Sequence, residues 1–362
     1  MVDLDGIPCA IQSGRHIPGQ DVVLYLHKLE DLDVRFIENV KGIFFLEKGA
    51  NSHAEVICRI KGIPLHRVER LDYIQDSWTL APARVNSGFT NSEEYQNFPG
   101  SFQAAVFDES DLAGLDLKRV ETIFVRAEHL MYKAVVEDPE ICYRRDLLSH
   151  WMSSSLARIV DKLPDVIQVV LRGIDIRSDD PVLGQYLFDS VEKNPELGNH
   201  GMRYLSLHPE WVECMASAVA PFETRVSFAC PFVTSHAEFE SFAHRYESLF
   251  RNEIIPFAES PAIFDEIDRY QVRQICLGLK DIAQFYFALD RGVSDVPVGI
   301  DYQNPGLVSA IVRALKKTLT SGFSVSLYQD PQFFQTYARN LRNLQWQPSM
   351  AAHELKEPDY RR

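Results

Sequence analysis

From residue 119 onward, short apolar runs alternate with longer amphipathic stretches, and this alternation limits the fold more than any other feature of the chain. The strand-length runs are TIFVRAE, VIQVVLRGID, RVSFACPFV, EIIPFAESP, QICLGLKD and FSVSLYQD. Helix-like stretches such as ICYRRDLLSHWMSSSLARIV and HAEFESFAHRYESLF lie between them. Such alternation predicts parallel strands joined by helical crossovers. With MRYLSL as a further candidate strand and NLQWQPSM as the last, we predict an α/β fold with an eight-stranded (β/α)8 TIM barrel in preference to an open sheet.

The rest of the chain differs in pattern. Residues 1–80 combine short apolar runs, DVVLYLHKL and GIFFLEKG, with one helix-like stretch, which predicts a small α/β domain. Residues 81–118 include APARVNSGFTNSEEYQNFPGSFQ, which is rich in Ser, Asn, Gly and Pro and has no sustained period, so we predict a linker there. The barrel then occupies residues 119–362. A chain of 362 residues with 46% hydrophobic content is large enough for two domains.

Composition narrows the class of partner. The net charge of −14 argues against a general affinity for nucleic acid or for anionic membranes. No apolar run is long enough to span a bilayer, and the start MVDLDGIPCA lacks the features of a secretory signal, so we expect a cytoplasmic protein. The six cysteines are scattered without a CxxC pair, which predicts reduced core residues and neither a zinc site nor a disulfide framework.

Charged or polar residues stand at the ends of four predicted strands: Arg126 and Glu128, Arg172 and Asp175, Glu259 and Ser260, and Lys280 and Asp281. In a barrel these positions share the C-terminal face, where active sites are built, although any one of them can simply mark the change from strand to loop. The cations that could surround a phosphate or carboxylate are Arg126, Arg172, Lys280 and Arg291. Glu259 and Asp281 offer the hard oxygen ligands that Mg²⁺ requires. We therefore predict a site for a phosphorylated acid with a bound metal ion.

A second candidate site lies in GANSHAEVICRIKGIP, residues 49–64. Small polar residues precede His53, and apolar positions then follow at helical spacing until Gly62 and Pro64 end the pattern. His53 is therefore predicted in the first turn of a helix. Free N–H groups and the positive end of the helix dipole at that turn would stabilise an anion such as a phosphorylated imidazole.

Four segments carry a family likeness: GANSHAEVICRIKGIP, EKNPELGNHGMRYL, FAESP and LGLKDIAQFYFALDRG. Over nearly its whole length the sequence resembles the phosphoenolpyruvate-utilising enzymes, namely pyruvate, water dikinase, pyruvate, phosphate dikinase and enzyme I of the sugar phosphotransferase system. The first segment is similar to their swivelling phosphohistidine domain. The last is similar to their IGTNDLTQYTLAVDRG segment and is the longest and most specific match. The resemblance implies a swivelling domain at residues 1–80 and a phosphoenolpyruvate-binding barrel at residues 119–362.

Position by position, the resemblance implies roles for individual residues. His53 matches the histidine that accepts phosphate from phosphoenolpyruvate. Arg126 and Arg172 match phosphate-binding arginines, and Glu259 and Asp281 match the Mg²⁺ ligands. A further match, Arg291, corresponds to a substrate-contacting arginine, with a helix-terminal salt bridge as the alternative.

The sequence also departs from the family at substrate-binding and catalytic positions. Lys280 replaces an asparagine, and His200 replaces the arginine of the LGxRG segment. Ser326 stands where the family has the cysteine that protonates the enolate, with Tyr328 two residues further on. Because serine is a far poorer acid than cysteine, either Tyr328 or water delivers the proton, or protonation is slow or absent.

The leading prediction is a phosphotransferase that moves a phosphoryl group, with Mg²⁺, between phosphoenolpyruvate or a close analogue and His53. No segment resembles the ATP-grasp domain of the dikinases or the carrier-binding helical domain of enzyme I, so we expect a separate ATP-grasp or phospho-acceptor protein as partner. The resemblance also implies a homodimer formed through the barrel. The alternatives are a non-catalytic binding protein and an enzyme of altered chemistry that binds a phosphorylated or carboxylated acid without normal pyruvate formation.

Overall fold

Two separate β-sheets organise the chain in the computed structural model. The structure describes residues 9–11, 22–29, 32, 37, 40–47, 53–74, 77–82, 89–222, 224–289, 300–318 and 322–356. Described residues before residue 87 belong to one compact unit, and those from 89 to 289 and from 300 onward belong to a second.

The first unit is a five-stranded sheet with one helix. Its strands are β1 (Cys9–Ile11), β2 (Val22–Lys28), β3 (Val40–Glu47), β4 (Leu65–Ile74) and β5 (Ser77–Pro82). They lie in sequence order, with β1 to β4 parallel and β5 antiparallel to β4. The predicted α/β character of this region is confirmed. Its identity as a swivelling phosphohistidine domain stays a prediction.

Helix α1 (His53–Ile60) begins at the residue where the sequence predicts a first turn. It buries Ala54, Ile57 and Cys58. Its end follows from Gly62, whose φ of +67° is the left-handed conformation that glycine tolerates after a helix. The next amide, of Ile63, donates to the carbonyl of Cys58 at 2.8 Å and closes the turn.

The second unit is a closed barrel of eight parallel strands, which confirms the predicted (β/α)8 fold. The strands are β6 (Phe102–Val106), β7 (Val120–Arg126), β8 (Gln168–Arg172), β9 (Val226–Val233), β10 (Ile255–Ala258), β11 (Gln274–Gly278), β12 (Ser324–Tyr328) and β13 (Gln347–Ala351). Strand β13 pairs with β6 and closes the barrel. The predicted last strand in NLQWQPSM is therefore confirmed.

Helices connect and cover these strands. Their bounds are α2 (Glu93–Gln96), α3 (Ala127–Glu137), α4 (Arg145–Val160), α5 (Gly184–Leu187), α6 (Gly201–Leu207), α7 (Pro209–Val219), α8 (His236–Tyr246), α9 (Ile263–Glu266), α10 (Leu279–Phe287), α11 (Pro305–Thr318) and α12 (Pro331–Leu341). Within the described part of the chain, every helix is too short or too polar to span a lipid bilayer.

Two sequence predictions about this unit are wrong. MRYLSL is helical and forms most of α6, in which Met202, Tyr204 and Leu205 are buried. The spacing of these residues suits a short helix as well as a strand, which is why the sequence pattern was misleading. The predicted linker at residues 81–118 contains β6, the first strand of the barrel. Sequence reasoning missed it because the run FQAAV is short and follows a segment rich in turn residues.

The segment before β6 is also packed and not a free linker. Its aromatic residues form a cluster with the start of β6 and with α12, in which Tyr95 stacks on Phe102 at 4.9 Å between ring centroids and Phe98 meets Phe334 at 5.3 Å. Each large ring contributes substantial apolar area to this contact. Because these aromatic residues follow neither a helix nor a strand period, their spacing did not indicate that they pack together.

The predicted burial of the cysteines is confirmed for the five whose burial the structure describes. The buried, unpaired thiols are Cys58, Cys142, Cys214, Cys230 and Cys276. Burial raises the pKa of the Cys58 and Cys142 thiols to about 12, which leaves them protonated and inert at neutral pH.

Candidate active site

The barrel interior is filled by an apolar layer that supports the C-terminal mouth. Its buried members are Phe124, Val170, Ala229, Ile255, Phe257 and Cys276, with Ala105 and Tyr328 packed against them. Phe124 and Phe257 stack across the interior with ring centroids 5.4 Å apart. Because side chains alternate along a strand, the residues two positions beyond this layer, such as Arg126, Arg172 and Glu259, also face inward at the mouth.

Arg172, at the end of β8, is surrounded by carboxylates. It bonds to Glu128 in the first turn of α3, and its Nη1 lies 3.3 Å from Asp175 and 3.5 Å from Glu259. Burial alone would lower the pKa of the guanidinium, but the three carboxylates outweigh it and raise that pKa. Arg172 is therefore a fixed positive charge at the centre of the mouth.

Glu259 follows β10 and is 3% exposed. Its Oε2 accepts a hydrogen bond of 2.9 Å from the backbone N–H of Phe232. Phe232 has a φ of +51°, which is strained for a residue with a side chain and costs on the order of 1–3 kcal/mol. The backbone is thus bent at β9 in a way that aims an amide at this carboxylate.

Asp281 comes from the first turn of α10 and interacts directly with the Glu259 carboxyl group. Burial raises the pKa of Glu259 well above its ordinary value, and the neighbouring Asp281 raises it further while Arg172 opposes the rise. Two carboxyl groups held together in a desolvated place repel each other when both are ionised. A bound cation would relieve that repulsion.

The fit of a metal ion can be judged from this donor set. The described residues contain no group of three or more His, Cys, Asp or Glu side chains that could hold a metal by themselves. Mg²⁺, however, is commonly bound through one or two carboxylates, with water and substrate oxygens in the other positions. The pair Glu259 and Asp281 fits that mode of binding and leaves room for a substrate to complete it.

His200, at the start of α6, is 3% exposed and has both ring nitrogens bonded to protein atoms. Nδ1 lies 2.8 Å from Asp175 Oδ1, and Nε2 lies 3.0 Å from the carbonyl oxygen of Glu196. A carbonyl can only accept, so Nε2 carries a proton. Burial would raise the pKa of Asp175, but Arg172 and His200 hold it well below its usual range, so this carboxylate also accepts and Nδ1 carries a second proton.

The His200 ring is therefore an imidazolium. Burial alone would lower its pKa, and the hydrogen bond to Asp175 raises it above the ordinary value. In this structure His200 reaches the mouth through Asp175 and does not present a free N–H to it. Its predicted role as a substrate ligand stays a prediction.

Arg126 is the cation with open bonding capacity. Among the residues that the structure describes, no carboxylate lies within ion-pair distance of its guanidinium. Its neighbour is the ring of Tyr328, with the guanidinium carbon 5.1 Å from the ring centroid. A stacked guanidinium keeps its N–H edge free to bind a phosphate or carboxylate.

The other predicted site residues are placed as follows. Lys280, at the start of α10, pairs with Asp330 at 3.0 Å and is partly exposed. Ser326 lies inside the barrel on β12, 1% exposed. His53 begins α1 in the first unit, and its side chain lies outside the described residues, as does Arg291 altogether.

Two residues that structure adds to the site are Glu128 and Asp175. Sequence analysis noted both at strand ends but gave them no role. Both are acids that follow a strand-end arginine by two or three positions, and this spacing was the available signal. In the structure they hold Arg172 in place, and burial raises the pKa of Glu128 while Arg172 opposes the rise.

Comparison with known proteins identifies a family. The family described as PEP-utilising enzyme, PEP-binding domain, matches residues 76–328. The chain is 23% identical over 351 residues to a phosphoenolpyruvate-protein phosphotransferase of Borreliella burgdorferi, a match covering 85% of this chain and 61% of that protein. It is 30% identical over 174 residues to a protein of the same name from Haloferax volcanii, covering 42% of this chain and 30% of that one.

A solved malate synthase from Haloferax volcanii aligns with a TM-score of 0.42 at 10% identity, over 71% of this chain and 73% of that one. The chain spans less than two thirds of the length of the curated relatives that it matches. The family match, by contrast, covers well over half of this chain and contains seven of the eight barrel strands. The chain belongs to the phosphoenolpyruvate-utilising enzymes and carries their phosphoenolpyruvate-binding domain.

Proposed function

We propose that this protein catalyses Mg²⁺-dependent phosphoryl transfer between phosphoenolpyruvate, or a close analogue, and His53, and that the phosphoryl group then passes to a separate partner protein or nucleotide-binding subunit. Family membership supports the substrate class. The names of the curated relatives support transfer to a protein.

The observation that carries the proposal is the contact between the carboxyl groups of Glu259 and Asp281, beside the fixed charge of Arg172 and the open guanidinium of Arg126. Phosphoenolpyruvate brings a phosphate and a carboxylate into one small molecule. A pair of acids for a metal ion, and a cation without an acidic partner among the described residues for an anionic group, match that combination.

In the proposed reaction, Arg126 binds an anionic group of the substrate and orients it. Arg172 stabilises negative charge at the mouth, while Glu128 and Asp175 keep its guanidinium in place. Bound at Glu259 and Asp281, Mg²⁺ would neutralise the negative oxygens of the substrate. Lys280 would add a further positive charge when it leaves Asp330.

His53 would accept the phosphoryl group. Its place in the first turn of α1 supports this role, because the free N–H groups of a helix start stabilise an anion nearby. The printed name of the curated relatives, phosphoenolpyruvate-protein phosphotransferase, is the reason for proposing a partner protein as the next acceptor.

The test uses labelled phosphoenolpyruvate with Mg²⁺. The protein should acquire label that is labile in acid and stable in base, the pattern of a phosphorylated imidazole. His53→Ala should abolish it. His66→Ala is the matched control, since His66 lies in the same unit, stacked on Phe44 at 4.9 Å. Label retained by His53→Ala would refute the assignment of His53.

The second candidate is a relative that binds a phosphorylated or carboxylated acid without normal pyruvate formation. Ser326 favours it, because this buried hydroxyl cannot act as the acid that a thiol can be. The engagement of Arg172 by three carboxylates favours it as well. Tight binding of phosphoenolpyruvate with no label on the protein and no pyruvate released would decide for this candidate.

A further inference from the structure

Among the polar side chains that the described part of the barrel directs inward, three lie on the neighbouring strands β6, β12 and β13: Gln103, Ser326 and Ser349. None is more than 1% exposed. Ser349 pairs in register with Gln103 on one side and with Tyr328 on the other, and Ser326 precedes Tyr328 by two positions. Tyr328 packs on the interior apolar layer, so alternation along the strands places all three polar side chains on the inner face.

Each of these side chains has a polar atom without a nitrogen or oxygen hydrogen-bond partner. They are Nε2 of Gln103, Oγ of Ser326 and Oγ of Ser349. The nearby sulfur of Cys276 is a weak partner. Burial raises the pKa of that thiol to about 12, and the Ser326 and Gln103 side chains oppose the rise.

A buried polar atom without a hydrogen-bond partner costs free energy of folding, and folded proteins rarely contain one. Three of them facing one interior call for a common partner. Water supplies it, because one molecule can accept from the Gln103 amide and exchange hydrogen bonds with both hydroxyls, which meets the two to four polar contacts that a buried water needs.

We infer that Gln103, Ser326 and Ser349 bind an ordered cluster of water inside the barrel, directly beneath the active-site mouth. Tyr328 forms the boundary, since it shares strand β12 with Ser326 and stacks on Arg126 at the mouth. The site is a property of this interior and exists whether or not a substrate is bound.

A chemical role follows if the proposed function holds, and it rests on that function. Loss of the phosphoryl group leaves the enolate of pyruvate. A water of the cluster can give its proton to the terminal carbon, so that a C–H bond forms and an O–H bond breaks. The hydroxide left behind takes a proton from the next water, so that hydroxide passes along the cluster, and solvent that enters the mouth as the product leaves neutralises it.

Thermal unfolding of the whole chain tests the water site without any substrate. If water is bound, Ser349→Ala and Ser326→Ala each remove a satisfied hydrogen bond and should lower Tm by about 2–4 °C. If the interior is dry, each removes an unsatisfied hydroxyl, and Tm should stay the same or rise. Ser155→Ala is the control, because its buried hydroxyl accepts from Arg158 at 3.0 Å and its loss should lower Tm.

A crystal structure at high resolution gives the second measurement. Water density within hydrogen-bonding distance of Gln103, Ser326 and Ser349 supports the inference, and a dry interior in which these side chains bond to one another overturns it. The proton role is tested with Ser349→Ala, which should slow pyruvate release while label still reaches His53. Unchanged pyruvate release overturns that role. Absence of label in the unmodified protein would instead refute the proposed function and leave the Tm result standing.

Discussion

Replacing Gly278 with alanine should disable the acid pair without changing either acid. Gly278 is the last residue of β11, and its φ of −88° suits any residue, so alanine brings no backbone strain. A Cβ at this position would lie 2.8 Å from Cγ and 3.0 Å from Oε1 of Glu259. Carbon atoms in contact prefer a separation of about 3.5–4.0 Å.

The Glu259 side chain must therefore move by about 1 Å, and it is held by the Phe232 amide and by Asp281. Mg²⁺ demands near-ideal geometry, with oxygen ligands at about 2.0–2.1 Å, so a displacement of about 1 Å would take the Glu259 carboxylate out of the metal site. Overpacking adds a loss of about 1–3 kcal/mol in the free energy of unfolding. We expect Gly278→Ala to abolish Mg²⁺-dependent binding of phosphoenolpyruvate in a calorimetric titration and to lower Tm.

The matched control is Gly100→Ala. A Cβ there would also meet a side-chain atom at 2.8 Å, namely Cε1 of Phe98, but at the opposite end of β6 from the mouth. It should lower Tm and leave binding intact. Unchanged Mg²⁺-dependent binding in Gly278→Ala would refute the placement of Glu259 in the metal site.

Two further predictions concern charge. The pKa of His200 is raised in the folded protein, so its pairing with Asp175 stabilises the fold fully below the unfolded pKa of about 6.5. This stabilisation is lost as pH rises through the raised pKa. The Tm of His200→Gln, measured against pH, should not show this loss. The pKa of Glu259 is also raised in the folded protein, so above about pH 4.5 the carboxyl group ionises more readily in the unfolded chain, and the free energy of unfolding falls. Glutamine does not ionise, so without metal at pH 7 the Tm of Glu259→Gln should be higher than that of the unmodified protein. Equal melting temperatures at pH 7 would contradict the destabilising burial and repulsion assigned to the carboxyl groups of Glu259 and Asp281.

The barrel could be predicted because its signal is local and repeated. Strand β8, for example, is an apolar run buried by neighbours on both faces, and helix α8 lies within the predicted stretch HAEFESFAHRYESLF, with Phe239, Phe242 and Tyr246 buried at helical spacing. Helix α1 could be predicted for the same reason, since Gly62 marks its end in the sequence itself.

The failures have a different cause. Strand β6 has a short run whose strand character comes from pairing with β7 and with β13, the last strand of the barrel, which lies far away in the sequence. The segment MRYLSL has apolar residues that suit either period, and packing against β9 decides for a helix. Context of this kind is absent from a single stretch of sequence.

The candidate site also combines features that local sequence predicts with features that depend on distant contacts. That polar residues at strand ends meet at one mouth follows from parallel topology. The pairing of Lys280 with Asp330, and the sealing of His200 between Asp175 and the Glu196 carbonyl, depend on side-chain geometry across separate loops. Spacing along the chain carries no information about such contacts.

The most direct test of the account is a calorimetric titration of the protein with phosphoenolpyruvate, with and without Mg²⁺. The account predicts binding that requires the metal and that is lost in both Glu259→Gln and Asp281→Asn, because an amide is a much weaker ligand than a carboxylate for a hard cation. Melting curves should show that both variants remain folded. Binding of equal strength without Mg²⁺, or unchanged Mg²⁺-dependent binding in both variants, would contradict it.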